Sequence, residues 1–200
     1  MDGEPHILAI IPTYNEVDEL QIVVDALLAE KCSGLEVLII NAGNELPESI
    51  SAHAKVVSVP SDHYWTHCTH RGIEEAQKHQ PDYIYFTNAD TPLTKGTLQL
   101  LLAECKSGEK KIACAPAYLQ ENGKTSLLYS HQDPMGILLY GKLVRPWSDL
   151  SDAPSETFDI TLTGGQGVLV PMEALQKLNV DVKRFPHYAS DHDLLLMLKE

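Results

Sequence analysis

The chain has 200 residues, of which 44% are hydrophobic and 22% are charged, and its formal net charge is −13. This composition is typical of one globular domain and excludes disordered, collagen-like and coiled-coil proteins. The acidic excess excludes a nucleic-acid-binding protein that works by neutralising phosphates, so a nucleotide diphosphate would need a local metal ion, helix N-terminus or arginine.

The sequence contains neither a long apolar run nor a signal-peptide pattern at its N-terminus. Four cysteines (Cys32, Cys68, Cys105 and Cys114) are scattered without a CxxC pair. Such spacing favours reduced thiols and a cytoplasmic protein, although a disulfide stays open.

Apolar runs and amphipathic segments alternate through the first 117 residues. The runs at 6–12, 35–40, 55–59, 82–86 and 111–117 predict strands, and the segments at 17–30, 65–79 and 93–105 predict helices, the first capped by Asn15. This alternation predicts an α/β domain with a mostly parallel central sheet. The polar segments TYNE, NAGN and TNADT follow three of the strands, at the edge where such sheets bind ligands.

The pattern changes after residue 117. Residues 118–162 are rich in turns and predict irregular or antiparallel structure. A glycine-rich turn, a short strand and a helix beginning at Pro171 or Met172 follow. The chain ends inside a further helix without a terminating Gly or Pro, so we expect additional elements beyond residue 200.

Two acidic segments could carry chemistry. In Asn88-Ala89-Asp90, a carboxylate follows a buried strand and is well placed to hold Mg²⁺ or Mn²⁺, while the same residues also suit a simple turn. Ser190 and Asp193 have the spacing of a helix capping box. That interpretation leaves Asp191 without a structural role and available as a general base.

Other features carry weaker signals. The glycines at 164, 165 and 167 allow close approach of a ligand, but no GxGxxG follows the first strand, so a dinucleotide site is not expected. The histidines at 63, 67 and 70, with Cys68 nearby, could share a helix face and bind Zn²⁺, although solvated or partly packed histidines are the better expectation. Trp65 and Trp147 could stack on a base or a sugar ring, or belong to the core.

Taken together, these segments resemble the family 2 glycosyltransferases, which have a GT-A fold. The similar segments occur in family order and are AIIPTYNE (9–16), LEVLIINAGN (35–44), WTHCTHRGIEEA (65–76), DYIYFTNADT (82–91), TGGQGVLVPMEAL (163–175) and FPHYASDHDLLLML (185–198). NADT and PHYASD look most like the rhamnosyltransferase-like branch. The resemblance implies a single GT-A domain over 1–200, with a nucleotide-sugar-binding half at 1–117 and an acceptor-side half at 118–200.

The resemblance also implies roles for individual residues. The residues expected to bind the nucleotide sugar are Pro12, Thr13, Tyr14, Asn15, Glu16, Asn41, Arg71, Asn88, Ala89 and Asp90. Asp90 is the expected metal ligand and Asp191 the expected catalytic base. Gly164, Gly165 and Trp65 are expected on the side of the donor sugar and acceptor. Asn41, His70 and Asn88 depart from the residues usual in the family.

These expectations describe an inverting hexosyl- or rhamnosyltransferase that uses Mg²⁺ or Mn²⁺. Its donor would be a UDP- or dTDP-linked sugar, and its acceptor a glycan or lipid-linked sugar, which leaves peripheral membrane association open. No nucleic acid partner is expected, and the oligomeric state is not predicted. The alternative is a catalytically inactive module that binds a sugar nucleotide or a glycan.

Overall fold

The computed structural model of the protein describes residues 4–108, 112–115, 117–121, 124–129, 131–133, 142–144, 157, 163–176, 178, 182–186 and 190–198. Its strands are β1 (Ile7–Thr13), β2 (Leu35–Asn41), β3 (Lys55–Ser58), β4 (Tyr83–Phe86), β5 (Ala113–Cys114), β6 (Ala117–Glu121), β7 (Lys124–Tyr129), β8 (His131–Asp133), β9 (Lys142–Val144) and β10 (Val168–Pro171). Its helices are α1 (Val17–Ala29), α2 (Glu48–Ser51), α3 (Trp65–His79), α4 (Thr97–Lys106), α5 (Met172–Leu175) and α6 (Ser190–Met197).

Six strands form the central sheet in the order β3-β2-β1-β4-β10-β5. Strands β1 to β4 are parallel, whereas β10 runs antiparallel to both β4 and β5. The predicted α/β fold with a mostly parallel sheet is therefore confirmed. Because β10 is antiparallel, its first residue, Val168, pairs with the last residue of β4, Phe86. The chain consequently enters β10 at the edge where the parallel strands end.

Helices cover both faces of the sheet. Along β1, Ile7, Ala9 and Ile11 pack into one layer of buried side chains, while Leu8 and Ile10 pack into the other. The first layer includes apolar residues of α1 and α4, and the second includes those of α3, α5 and α6. Burial on both faces explains why the strands are continuously apolar rather than alternating.

Most predicted elements are confirmed within one or two residues, but two predicted boundaries are wrong. Helix α4 begins at Thr97 instead of residue 93, and Gly96 before it has a φ of 88°. The buried Glu30 carboxylate accepts hydrogen bonds from the N–H groups of Gly96 and Leu98 at 2.6 and 3.1 Å, which satisfies the start of the helix there. The strand predicted over 111–117 is reduced to β5, Ala113–Cys114, because only this stretch pairs with β10.

Antiparallel structure was expected in the second half. The described backbone confirms this where β6 pairs with β7 and β8 pairs with β9, and the rest of 118–162 lies almost wholly outside the described residues. Helix α5 begins at Met172, directly after Pro171, as predicted. All four cysteines are free. In the described part of the chain, none of the helices has the length and apolar character needed to cross a bilayer.

Candidate active site

The carboxyl edge of the sheet brings together the polar segments singled out in the sequence. Thr13 ends β1, Asn41 ends β2, and Thr87 directly follows β4. The glycine-rich segment 164–167 reaches the same edge, where the Gly167 N–H donates to the Phe86 carbonyl oxygen at 2.8 Å. Loops from four strands therefore border one region, at the position where α/β sheets hold their ligands.

The loops after β1 and β2 hold each other in place. Asn15 has a φ of 61°, and its side-chain oxygen accepts a hydrogen bond from the Asn44 N–H at 2.8 Å. A Cβ at Gly43 would lie 2.5 Å from that oxygen, so glycine is needed for this close approach. The sequence predicts Asn15 as the N-cap of α1. This prediction is wrong, because Glu16 holds that position.

Three residues at the end of β1 differ in how far a ligand could reach their side chains. Pro12 pairs with Ile40 inside the sheet. The Thr13 hydroxyl is buried and has no hydrogen-bond partner among the described residues. Tyr14 is 56% exposed. The loop thus has an exposed aromatic ring, while the neighbouring hydroxyl is buried and unsatisfied.

Asn41 is buried, and its amide group serves its own loop. The side-chain oxygen accepts a hydrogen bond from the Gly43 N–H at 2.9 Å, and the amide nitrogen donates to the Asn44 carbonyl oxygen at 2.7 Å. These bonds fix the turn that follows β2. A contact from Asn41 to a base stays a prediction.

Residues 88–90 lie in a turn after β4. The Thr87 hydroxyl donates to the Thr91 carbonyl oxygen at 3.0 Å, and the Thr91 N–H donates to the Asn88 carbonyl oxygen at 3.3 Å. Ala89 is buried, whereas Asp90 is exposed and accepts a hydrogen bond from the Thr91 hydroxyl at 2.9 Å. Residues 88–90 can be both a turn and a cation site, since the turn leaves the Asp90 side chain exposed where the parallel strands end.

Asp90 has an acidic neighbour in the first loop. Partial burial, together with the negative charges of Asp90 and Glu19, raises the pKa of Glu16. Hard cations such as Mg²⁺ and Mn²⁺ prefer oxygen ligands and often bind through one or two carboxylates. The exposed Asp90 carboxylate therefore fits such an ion, which would complete its coordination with water or with oxygens of a ligand.

Trp65, the first residue of α3, links the turn after β4 to the glycine-rich segment. Its indole N–H donates to the Asn88 side-chain oxygen at 2.8 Å. On its other side the ring packs against Gly165, where an added Cβ would lie 2.6 Å from the ring atom Cζ2. Gly165 is therefore the residue that leaves room for the indole.

Asp191 lies in the first turn of α6, beside Gly165. One carboxylate oxygen accepts a hydrogen bond from the Gly165 N–H at 3.1 Å, and the other accepts one from the His192 N–H at 2.9 Å. The side chain is partly exposed. The sequence predicts no structural role for Asp191. This prediction is wrong, because the carboxylate accepts hydrogen bonds from two backbone N–H groups that orient it.

The candidate metal ligand, Asp90, and the candidate base, Asp191, are connected through contacts between neighbours. Asp90 shares its turn with Asn88, Asn88 bonds to Trp65, Trp65 packs on Gly165, and Gly165 bonds to Asp191. Neither carboxylate is sealed in the interior. The structure thus links the two acidic segments through Trp65 and Gly165, and a single crevice faced by both carboxylates stays a prediction.

A buried hydroxyl pair, not recognised in the sequence, joins the starts of α3 and α6. The Thr66 hydroxyl donates to the Phe185 carbonyl oxygen at 2.6 Å and lies 2.7 Å from the Ser190 hydroxyl oxygen. Ser190 is the first residue of α6 rather than its N-cap, so the predicted capping box with Asp193 is wrong. Thr66 and Ser190 are 124 positions apart, and no local pattern could have indicated their contact.

Arg71 lies farther along α3, and acidic residues hold its guanidinium. Its two terminal nitrogens are 3.1 Å from Glu74 and 2.6 Å from Glu75. The buried Glu75 carboxylate also pairs with Lys55 at 3.3 Å and Lys78 at 2.6 Å. The hydrogen bond from Lys78 is the main cause that lowers the pKa of Glu75 to about 2. Contact between Arg71 and a nucleotide stays a prediction.

The histidines do not assemble a metal site. His63 precedes α3, its ring stacks on that of His67 with 4.9 Å between centroids, and His70 lies 3.8 Å from Glu74. Within the described ranges, no three His, Cys, Asp or Glu side chains are grouped so that they could hold a metal ion. Trp147 lies outside the described residues.

A cleft of about 440 Å³ opens beside Asn41, toward the β3 side of the sheet. It is lined by Asn41, Gly43, Glu45, Leu46, Ser51, Val56 and Ser58. Strand β1 separates β2 from β4, so roughly 10 Å lie between the ends of these two strands at ~4.8 Å per strand. The cleft is therefore a compartment beside the acidic turn and distinct from it.

The amino-acid sequence matches the family described as Glycosyl transferase family 2 over residues 8–157. The chain belongs to this family. No curated protein matches it significantly. Family membership confirms the resemblance stated from the sequence motifs, while the rhamnosyltransferase-like branch stays a prediction.

Solved structures support the fold of this family 2 glycosyltransferase domain. TarS 1–349 from S. aureus has a TM-score of 0.65 at 14% identity, and the match covers 96% of this chain and 55% of that one. A longer TarS structure gives 0.61 at 13% identity, with 96% and 33% covered. The mannosyltransferase PcManGT from Pyrobaculum calidifontis, in complex with GDP-Man and Mn²⁺, gives 0.47 at 16%, with 57% and 36% covered. The chain spans about a third to just over half of these proteins, and the TarS likeness agrees with a GT-A fold.

Proposed function

We propose that this family 2 domain transfers a sugar from a nucleoside-diphosphate sugar to an acceptor hydroxyl, with inversion at the anomeric carbon. The observation that carries the proposal is the continuous set of contacts from Asp90 to Asp191. An exposed carboxylate suited to a cation lies at one end, and a carboxylate oriented by two backbone N–H groups lies at the other.

Asp191 acts as the general base. Its carboxylate takes the proton of the acceptor hydroxyl, and the acceptor oxygen attacks the anomeric carbon from the face opposite the diphosphate. The N–H groups of Gly165 and His192 bond to one carboxylate oxygen each and leave further lone pairs to receive the proton. This arrangement keeps the base fixed on a rigid element, as proton transfer requires.

Asp90 would hold Mg²⁺ or Mn²⁺. Such an ion, when bound, neutralises negative charge that develops on the leaving diphosphate. The need is strong in this protein, because a net charge of −13 otherwise disfavours a bound polyanion. The exposed position of Asp90 leaves its side chain accessible to the diphosphate.

Several other predicted residues contact different parts of the donor. Tyr14, Thr13 and the cleft beside Asn41 take the nucleoside, whereas Trp65 and the glycines at 164 and 165 border the transferred sugar. We propose a UDP- or dTDP-linked hexose or rhamnose as donor and a glycan or lipid-linked sugar as acceptor. Free cysteines support a cytoplasmic reaction, and a lipid-linked acceptor would bring the domain to a membrane surface.

Replacement of Asp191 by Asn tests the role of the base. General-base assistance is typically worth about 10²–10⁴ in rate, so turnover should fall by that factor while donor affinity is retained. The assay follows transfer or slow hydrolysis of labelled UDP- and dTDP-sugars with Mn²⁺. Asp193→Asn removes the same charge two residues later and should leave turnover within about twofold. Equal turnover in wild type and Asp191→Asn would refute the assignment.

Asp90→Ala tests the metal ligand in a binding measurement. Calorimetry with UDP should show that Mn²⁺ strengthens binding to the wild type and has no effect on the variant. An equal gain from Mn²⁺ in both proteins would contradict a cation on Asp90.

Binding without transfer is the second candidate function. It is favoured by the amide of Asn41, which is used within its own loop, and by the amide at Asn88 where the family usually has an acid. A binding module should retain labelled UDP- or dTDP-sugar without hydrolysing it. Slow hydrolysis that depends on Asp191 would exclude this function.

A further inference from the structure

We propose that Asn88 donates a hydrogen bond from its side-chain N–H₂ group to an oxygen of the bound diphosphate, and that Trp65 holds it in this orientation. This assignment rests on the proposed function, since it requires a nucleoside diphosphate in the crevice. It makes Asn88 a residue that selects the ligand by polarity, and not a ligand of the cation.

The orientation of the amide follows from the chemistry of its partner. An indole N–H can only donate a hydrogen bond, so the atom that it meets at 2.8 Å is the Asn88 oxygen and not the nitrogen. The indole is itself fixed by its packing against Gly165. Because the two ends of an amide diverge, the N–H₂ group of Asn88 faces away from Trp65.

This N–H₂ group is available to a ligand. Among the described residues it has no hydrogen-bond partner, and it is not one of the buried unsatisfied atoms. Asn88 is partly exposed and stands two positions before Asp90 in the same turn. A group that binds at Asp90 through a cation therefore lies next to a hydrogen-bond donor.

The polarity of this donor suits a diphosphate. A carboxylate at position 88 could only accept hydrogen bonds and would add a further negative charge two positions from Asp90. An amide N–H₂ group binds a phosphate oxygen without that repulsion. The cation is then better served by the Asp90 carboxylate, because the Asn88 oxygen is neutral and already accepts the Trp65 N–H.

Two substitutions separate the orientation of Asn88 from its role. Asn88→Asp keeps an oxygen for Trp65 but replaces the donor by a second oxygen, whereas Asn88→Ala removes both groups. In a Trp147→Phe background, a single indole N–H signal reports on Trp65 by NMR. The signal should move upfield in Asn88→Ala and stay near its wild-type position in Asn88→Asp. An unmoved signal in Asn88→Ala overturns the proposed orientation.

Binding measurements without divalent cations test the role toward the ligand. UDP or dTDP, whichever binds the wild type, should bind about tenfold more weakly to Asn88→Ala and at least tenfold more weakly to Asn88→Asp. The matching nucleoside should bind all three proteins within about twofold. Mn²⁺ alone should bind Asn88→Asp at least fivefold more tightly than the wild type, since the variant offers an additional oxygen.

The outcomes distinguish this assignment from the proposed function. Diphosphate binding that is insensitive to both substitutions overturns the role of Asn88 and leaves the proposed function standing. A loss of equal size for the nucleoside moves the contact away from the diphosphate and also overturns the assignment. A wild-type protein that binds neither UDP nor dTDP, with or without Mn²⁺, overturns both.

Discussion

At Gly165, three parts of the candidate site come within contact distance. Its N–H donates to Asp191, and an added Cβ would lie 2.6 Å from the Trp65 ring and 2.9 Å from the Asp191 Cβ. The position tolerates no side chain unless one of these neighbours moves. The geometry of the base therefore depends on a residue that contributes only its backbone.

Gly165→Ala should consequently displace Asp191 or Trp65. A shift of about 1 Å can cost about 10² in rate, so we expect turnover to fall by that order, with a smaller loss of stability from overpacking. Gly164→Ala is the comparison, because its Cβ would meet only the flexible end of Gln166, at 2.9 Å, so any loss there reflects its place beside the donor sugar and not a shift of Asp191. Steady-state kinetics and thermal unfolding measure both effects. Equal turnover in the two variants would contradict the account.

Residue types at the site could be inferred from the sequence, but most contacts between them could not. The resemblance indicated Asp90, Asp191 and Gly165 because each belongs to a short local motif. The bond from Trp65 to Asn88 joins positions 23 apart, and only the folded chain brings them together. The sequence pattern predicts a helix cap at Asn15, because its actual partner, Asn44, lies in another loop and cannot be seen in the local sequence.

At the scale of elements, the start of α4 is determined by a residue distant in sequence. Periodicity extended this helix back to residue 93, whereas the buried Glu30 carboxylate bonds to the N–H groups of Gly96 and Leu98 and the helix begins at Thr97. A sequence pattern contains no information about an acceptor 66 positions away. The strands were easier to predict because each is a continuous apolar run.

Glu30→Ala should destabilise the protein by about 2 kcal/mol, because the buried N–H of Leu98 and the partly buried N–H of Gly96 lose their acceptor. Glu30→Gln retains one side-chain oxygen and should cost less. Urea unfolding followed by circular dichroism measures the free energy of unfolding of both variants. An alanine variant as stable as the wild type would show that the N–H groups find other partners.

At the scale of the whole molecule, alternation of strands and helices predicted the sheet but not its complete order. Strand β10 runs antiparallel and lies between β4 and β5, and this placement depends on pairings such as Val168 with Phe86. The placement has a direct functional consequence. It delivers the glycine-rich segment, and with it the partner of Asp191, to the edge that contains Asp90.

The convergence of Asp90 and Asp191 on one crevice is tested most directly by paramagnetic broadening from Mn²⁺ in the ¹⁵N-labelled protein. We predict that substoichiometric Mn²⁺ broadens the backbone amide signals of Gly165 and His192. The signal of Ile7, at the other end of β1 and roughly 20 Å from Thr13 at ~3.3 Å per residue, should broaden much less. Asp90→Ala should abolish the broadening. Signals of Gly165 and His192 that stay sharp while Mn²⁺ is bound at Asp90, or that broaden equally in Asp90→Ala, would contradict a shared crevice.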